Sequence, residues 1–503
     1  MSSTVGSLLS GLASCLTPMN MFASVVGVLI GTLTGVLPGL GITGALALLL
    51  PASYGLPPAT AMIMFCGVYY GAMYGGSTTS ILVNIPGEGA SVVTCIEGYE
   101  MAKKGRAGAA LAVAAIGSFI AGTMGTIGLT FFAPLLAKAA LAFGPPEYFA
   151  IATLGLILLF NISGKSPLRS ALMVMIGLMI GTIGFDPMTG VSRFTMGMIE
   201  LEDGIEFIIL TMGLYGVGEI LASICEHEEQ GEMMKFKFRD LYPNREELKR
   251  SLPPMFRAGI LGFLIGLIPG PGMTISTFAS YALEKRLSKH PEEWGHGAIE
   301  GVAGPESANN AANAAQMVPL LSLGLPFNSS GALLLAGFMI HGVAPGPMLM
   351  STQPDLFWAI IASLYIGNVL LLIINLPLVG VFASLLKIPI KILLPIVMVV
   401  TFTGAYAINS SLFDLGLLIL FGAIGFILKR AKFDLAPLVI GLFLGPTIET
   451  GLIQGMIISD GSFMTLLARP LAGTMLKIGF AVILFSIGRA IYQSIKARQT
   501  AEA

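Results

Sequence analysis

No lysine or arginine occurs before Lys103, and apolar blocks fill that whole stretch. A bilayer span needs about 20 apolar residues, and such blocks recur along the chain. Plausible spans are 21–37, 58–74, 108–132, 146–162, 168–184, 205–224, 255–268 running into 272–283, 354–384, 389–408, 412–428 and 472–492. Shorter apolar pieces lie at 40–50, 78–85, 90–96, 310–323, 327–341, 434–445 and 451–459. Pieces this short point to broken helices or re-entrant hairpins, which a membrane tolerates only where protein or a water-filled cavity covers the loose backbone. The expected fold is an all-α polytopic membrane protein with about 10–14 transmembrane helices.

Composition agrees. Only 11% of the 503 residues are charged and mean hydropathy is +0.85, where a soluble domain carries about 25% charged residues. A net charge of −1 offers no basic field for nucleic acid. The four cysteines and four histidines are dispersed, without metal-ligand spacing. Met1 to Thr17 lack the basic start of a cleavable signal peptide. No GxSxG elbow, HExxH or Walker A pattern is present, so no enzymatic constellation stands out.

The positive-inside rule places the Lys/Arg clusters in the cytoplasm. They are the seven basic residues from Lys235 to Arg257, Lys103 with Lys104 and Arg106, Lys429 with Arg430 and Lys432, and the tail with Arg489, Lys496 and Arg498.

Two stretches resemble each other within the chain. Pro38, Gly39, Gly41 and Thr43 match Pro269, Gly270, Gly272 and Thr274 at an offset of 231. ILVNIPGEGAS at 81–91 resembles LLSLGLPFNSSGA at 320–332, and Pro86 and Pro326 stand 240 apart. Equivalent loops carry opposite charge bias. PASYGLPP at 51–58 has no basic residue while 284–290 has three, and the cluster at 103–106 has no counterpart near 340–350. That contrast predicts two inverted repeats, the architecture of many secondary transporters. The expected organisation is a first half at 1–225 with a hairpin at 74–91, a cytoplasmic linker at 226–257, a second half at 258–470 with a hairpin at 304–332, and a C-terminal helix and tail at 471–503.

The hairpins are the candidate site. Gly75 and Gly76 allow the backbone to leave the helix, Ser77, Thr78, Thr79 and Ser80 offer hydroxyls, and Asn84 an amide. Pro86 interrupts the helical ladder, with Gly87 keeping the turn compact. In the second half Asn309 and Asn313 share a helix face beside Asn310, followed by Pro326, Asn328 and Ser329. Exposed N–H groups at a helix start favour an anion, and carbonyls at a helix end favour a cation. Substrate contacts are therefore expected from Gly39, Gly41, Thr43, Ser77, Thr78, Thr79, Pro86, Gly87, Gly270, Gly272, Thr274, Pro326, Asn328 and Ser329. A small coupling cation is expected among Gly75, Gly76, Ser77, Asn84, Asn309, Asn310 and Asn313. Glu88 and Glu306 are further candidates to hold a cation or a proton. With no nucleotide motif, transport should run on an ion gradient. A passive channel or facilitator is the alternative.

GVLPGLG (35–41), YGGSTTSILVNIPGEGASVVTCIEGYEMAKKGRAG (74–108), GLIPGPG (266–272), GPESANNAANAAQMVPLLSLGLP (304–326) and GFMIHGVAPGP (337–347) resemble the large membrane subunit of the tripartite tricarboxylate transporters. The resemblance implies a bacterial inner-membrane secondary transporter for organic carboxylates such as citrate. It also implies a periplasmic solute-binding protein, a small membrane subunit of about four helices, and coupling to Na+ or H+. By analogy with other anion transporters that use paired hairpins, an elevator-type movement is expected.

Overall fold

The computed structural model describes residues 2–36, 41–84, 86, 88–162, 167–186, 189–225, 243–385, 395, 398–399, 401–403, 405–406 and 409–502. Pro38, Gly39, Gly87 and most of the predicted linker (226–242) lie outside them.

Helices dominate the described residues: α1 Ser2–Cys15, α2 Pro18–Val36, α3 Gly41–Ala52, α4 Pro58–Val83, α5 Val92–Lys103, α6 Ala107–Ala140, α7 Pro145–Ile162, α8 Pro167–Ile180, α9 Phe207–Thr211, α10 Gly218–Cys225, α11 Arg245–Gly266, α12 Gly272–Leu287, α13 Glu300–Leu323, α14 Ser329–Ile340, α15 Leu349–Thr352, α16 Pro354–Leu385, α17 Leu412–Arg430, α18 Ala436–Ile458, α19 Phe463–Ala468 and α20 Pro470–Glu502. A small antiparallel pair, β1 Gly184–Phe185 and β2 Ser192–Arg193, follows α8. Five of these helices (α2, α6, α16, α17 and α18) contain segments both long and apolar enough to cross a membrane. Exposed side chains such as Phe131, Leu135, Ile419 and Ile427 line helices of that set, as a lipid-facing surface requires.

Two compact units divide the chain. One comprises 1–141, 208–326 and 330–427; the other comprises 142–207, 327–329 and 428–503. In the second unit α18 packs on α7 and α8, and α20 lies along α7. The sequence pieces 434–445 and 451–459, read above as too short to cross, are one 23-residue helix. It continues through Pro446, and Glu449 in its polar middle is held by a two-pronged Arg193 ion pair.

The first unit holds α4 and α13. α4 begins with Pro58 at its first position, where a missing N–H costs nothing. It ends on Asn84 in the left-handed conformation (φ 58°). α13 ends the same way on Gly324 (φ 70°), and proline follows two residues later in both cases. Expected breaks at Gly75–Gly76 do not occur: α4 is helical to Val83. The reason is packing. A Cβ on Gly75 would overlap the backbone of Thr32 and Val36 in α2, so glycine there permits close helix approach rather than a bend.

That close approach recurs in the second half. A Cβ on Gly31 would lie 2.5 Å from the Val68 carbonyl oxygen, and one on Gly35 would overlap Ala72. One on Gly266 would lie 2.5 Å from the Ala312 carbonyl oxygen, and one on Gly262 would overlap Ala308. Gly31 and Gly35 become Gly262 and Gly266 at the offset of 231, while Val68 and Ala72 become Ala308 and Ala312 at 240. The long helices exchange partners as well. α6 packs on α11 and α13, and α16 packs on α2 and α4.

One end of this unit is charged. Arg106 pairs with Glu247, Arg250 with Glu293 and Glu300, and Arg257 with Glu284. The clusters at 103–106 and 245–257 therefore share one face, as the orientation rule expects. Residues 245–257, read as linker, are the first turns of α11, started by a reciprocal Asn244–Glu247 cap. Hydrogen bonds from Arg250 hold the Glu293 carboxyl below its ordinary range.

Candidate functional site

α4 and α13 are buried along almost their whole length, although α13 carries Glu306, Ser307, Asn309, Asn310, Asn313 and Gln316. Polar groups enclosed this way must be bonded or held for a ligand. The helices cross antiparallel. Late in α4, Ser77 Oγ donates to Glu306 Oε2 at 2.5 Å. Two turns earlier, the Tyr69 carbonyl accepts from Asn313 Nδ2 (3.3 Å) and its hydroxyl donates to Gln316 Oε1 (3.3 Å). Contacts that move back along α4 move forward along α13.

Glu306 is the centre of this crossing. Its side chain is 1% exposed. Thr94 Oγ1, from α5, donates to its other oxygen. Asn310 Nδ2 donates to the Glu306 carbonyl (3.0 Å) and to Ser118 Oγ on α6 (2.7 Å). Neither lysine nor arginine joins any of these contacts. The Oδ1 atoms of Asn309, Asn310 and Asn313, and Ser307 Oγ, are buried without hydrogen-bond partners. Glu88 folds over Gly76, its Cγ 3.3 Å from where a Cβ would stand, with its buried Oε1 unpartnered.

A cavity of about 20 Å³ reaches Ser77 and is lined by Tyr74, Thr78, Ser118 and Asn375 among others. That is room for about one water molecule, far below the several hundred Å³ of small-molecule pockets. In this conformation it accommodates a water-sized species and not an organic acid. Asn375 Nδ2 on the cavity wall is buried without a partner.

The sequence-predicted residues divide. Ser77, Thr78, Asn309, Asn310 and Asn313 lie in this buried core of the unit. Thr79 spends its hydroxyl on the Gly76 carbonyl, which also accepts from Ser80. The Gly75 and Gly76 carbonyls lie inside the uninterrupted α4. Gly75 packs against α2, and Gly76 lies under Glu88. Asn84 is exposed at the end of α4, and seven residues of helix put it about 10 Å from Ser77; one ion cannot touch both. Pro86 is exposed in the same turn. Thr274 on α12 is brought to that turn, its Oγ1 3.3 Å from a Cβ on Gly89. Gly270 takes a positive φ of 122° between α11 and α12, and Gly272 backs onto Gln316. Gly41 and Thr43 open α3, which packs on α2 and α4. Pro326 and Asn328 are buried in the turn before α14, which Ser329 begins. Gly39 and Gly87 are outside the described residues.

Sequence reading missed Thr94, Ser118 and Asn375 as site residues. Each stands on a helix that carries other polar residues, and nothing local marks it as the one that enters the site.

A nearby carboxylate has a structural part. Glu97 on α5 is fully buried and accepts from Tyr281 Oη (2.7 Å) and from the N–H groups of Gly295, Gly297 and Ala298 (2.6, 2.7 and 2.9 Å). It ties α5 to the loop that leads into α13.

Comparison with known proteins places the chain. It is 47% identical over 483 residues, 96% of each chain, to an Agrobacterium vitis protein described as an uncharacterized 52.8 kDa protein in the TAR-I ttuC' 3' region. It is 45% identical over 226 residues to an uncharacterized protein in the TAR-II ttuC' 3' region of the same organism, a match covering 45% of this chain and 93% of that one. No solved structure matches. The model of the tripartite tricarboxylate transporter TctA family matches residues 21–440, and the chain belongs to that family.

Proposed function

We propose that the protein is the large permease subunit of a three-component system that takes up organic carboxylates, tri- or dicarboxylates such as citrate, by cation-coupled secondary transport. Its place is the bacterial inner membrane. A periplasmic solute-binding protein delivers the carboxylate, and a small membrane subunit completes the complex. The coupling ion is sodium, with the proton as the other candidate.

The antiparallel crossing of α4 and α13 carries this reading. Helices matched by sequence run in opposite directions and meet at Ser77 and Glu306. Two halves of opposite membrane sense account for that geometry, for the exchange of long-helix partners and for the charge contrast between equivalent loops. The carboxylate is held in the turns after α4 and α13, each followed by a helix start whose N–H groups favour an anion. Elevator movement of the domain bearing both turns delivers it.

Vesicles reconstituted with all three components test the proposal. An imposed inward sodium gradient should drive labelled carboxylate above its external concentration. Exchange without accumulation would indicate a facilitator instead. A pH gradient that drives uptake while sodium does nothing would reassign the coupling ion.

A further inference from the structure

The geometry points to Glu306 as the anionic anchor of a sodium site, with Ser77 and Thr94 as its hydroxyl ligands. The inference deepens the cation-coupled reading above and rests on it.

The donor set is all oxygen. Glu306 supplies a carboxylate, and Ser77 and Thr94 supply hydroxyls already in contact with it. A hydroxyl has one proton and two lone pairs, so each can turn an oxygen toward a cation while remaining beside the carboxylate. Hard monovalent and divalent cations take such oxygen ligands, whereas transition metals draw on imidazole and thiolate. Facing Glu306 from α4 and α5 are Tyr74 and Cys95, and Glu88 approaches from the first turn. None of these is a cation. A fully buried carboxylate without a positive partner is costly, and a mobile cation is the partner that transport chemistry supplies.

Two observations independent of the carboxylate point the same way. Asn310 is completely buried, its Nδ2 committed to Ser118 and to the Glu306 carbonyl, and its Oδ1 is left without a donor. The cavity beside Ser77 is one water wide, so a single small ion reaches the same hydroxyl that holds Glu306. Glu306 is the one carboxylate that the two hydroxyls contact, fewer acids than the two or three that ligate a divalent ion, which fits a monovalent one. This assignment revises the ligand set read from sequence: Glu306, a candidate there, becomes the anchor, Thr94 enters, and Gly75, Gly76 and Asn84 leave.

The test is thermal unfolding of the purified full-length chain, with NaCl exchanged for choline or potassium chloride at constant ionic strength. A ligand that binds only the folded protein raises its melting temperature with concentration. The wild type should be stabilised by sodium and not by potassium. Glu306→Gln should raise the sodium concentration needed by roughly tenfold or more, and Thr94→Val by roughly threefold. A wild-type sodium response retained in Glu306→Gln overturns the assignment, as does a wild type insensitive to sodium. If Glu306→Gln does not fold, Thr94→Val and Glu306→Asp decide, and an unchanged response in both overturns it. Carboxylate counterflow by the wild-type three-component vesicles is read separately. Its absence would sink the transport reading while the sodium titration still judges the site.

Discussion

α4 and α13 occupy matched places in the two halves, yet they carry different chemistry. Both pack through glycines on the preceding long helix, both end on a left-handed residue, and both are buried throughout. At the offset of 240, however, Glu306 corresponds to Cys66, Asn310 to Tyr70, Asn313 to Met73 and Ser77 to Met317. The frame repeats while the polar groups do not. Where Ser77 meets Glu306, the matched positions are Met317 and Cys66, whose side chains carry no oxygen. The glycine contacts recur in the two halves, and the polar groups around Glu306 are where the halves differ.

The comparison breaks most severely at the glycine contacts. Gly35→Leu and Gly266→Leu each drive a side chain into partner backbone that has no room to yield. Each should destabilise by about 3 kcal/mol, read as a lost or lowered melting transition in detergent. Equal damage is expected from the two, because the contacts are equivalent. A tolerated substitution in one half would show that the halves are not packed alike.

Glu97 sharpens the contrast. Residues 329–353, after the second turn, contain no acid, so this tie exists only in the first half. Glu97→Ala strands three backbone N–H groups and one tyrosine hydroxyl, at about 2–3 kcal/mol. Proteolysis at 290–298 should accelerate. Unchanged cleavage there would remove Glu97 as the tether.

Ser77→Ala removes a hydrogen bond to a buried carboxylate, worth about 1.5 kcal/mol. Met317→Ala, its matched partner, removes only packing. Sodium-driven uptake should fall several-fold in Ser77→Ala at matched expression, and less in Met317→Ala. Equal effects would mean that the polar crossing has no special part.

The smallest effect lies at the start of α13, which Arg250 tethers through Glu293 and Glu300, while α4 begins at an uncharged Pro57–Pro58. Glu293 is held below the ordinary carboxylate range, so its pairing stabilises above that range and is lost on acidification through the lowered value. Its side chain is 38% exposed, which limits the pair to about 0.5 kcal/mol. Glu293→Gln should lower stability slightly at neutral pH, with the difference from wild type shrinking below about pH 4. A difference that grows on acidification would contradict this assignment.

Apolar block length, scarce charge and the Lys/Arg bias were enough to fix a helical membrane protein and the common face of 103–106 and 245–257. These are properties of solvation, and every residue reports on them locally. The repeat offsets were equally legible, since glycine and proline stand where backbone geometry admits little else. What each glycine does was not. Gly75 reads as a hinge, yet it is a contact point, because only the neighbouring Thr32 carbonyl reveals the need for a missing Cβ. The meeting of Thr94, Ser77 and Glu306 was likewise invisible, since residues 212 and 229 positions from Glu306 become neighbours only through the crossing of buried helices. Burial then changes the chemistry: a carboxylate that water solvates must find hydrogen-bond donors or a positive partner when the fold encloses it.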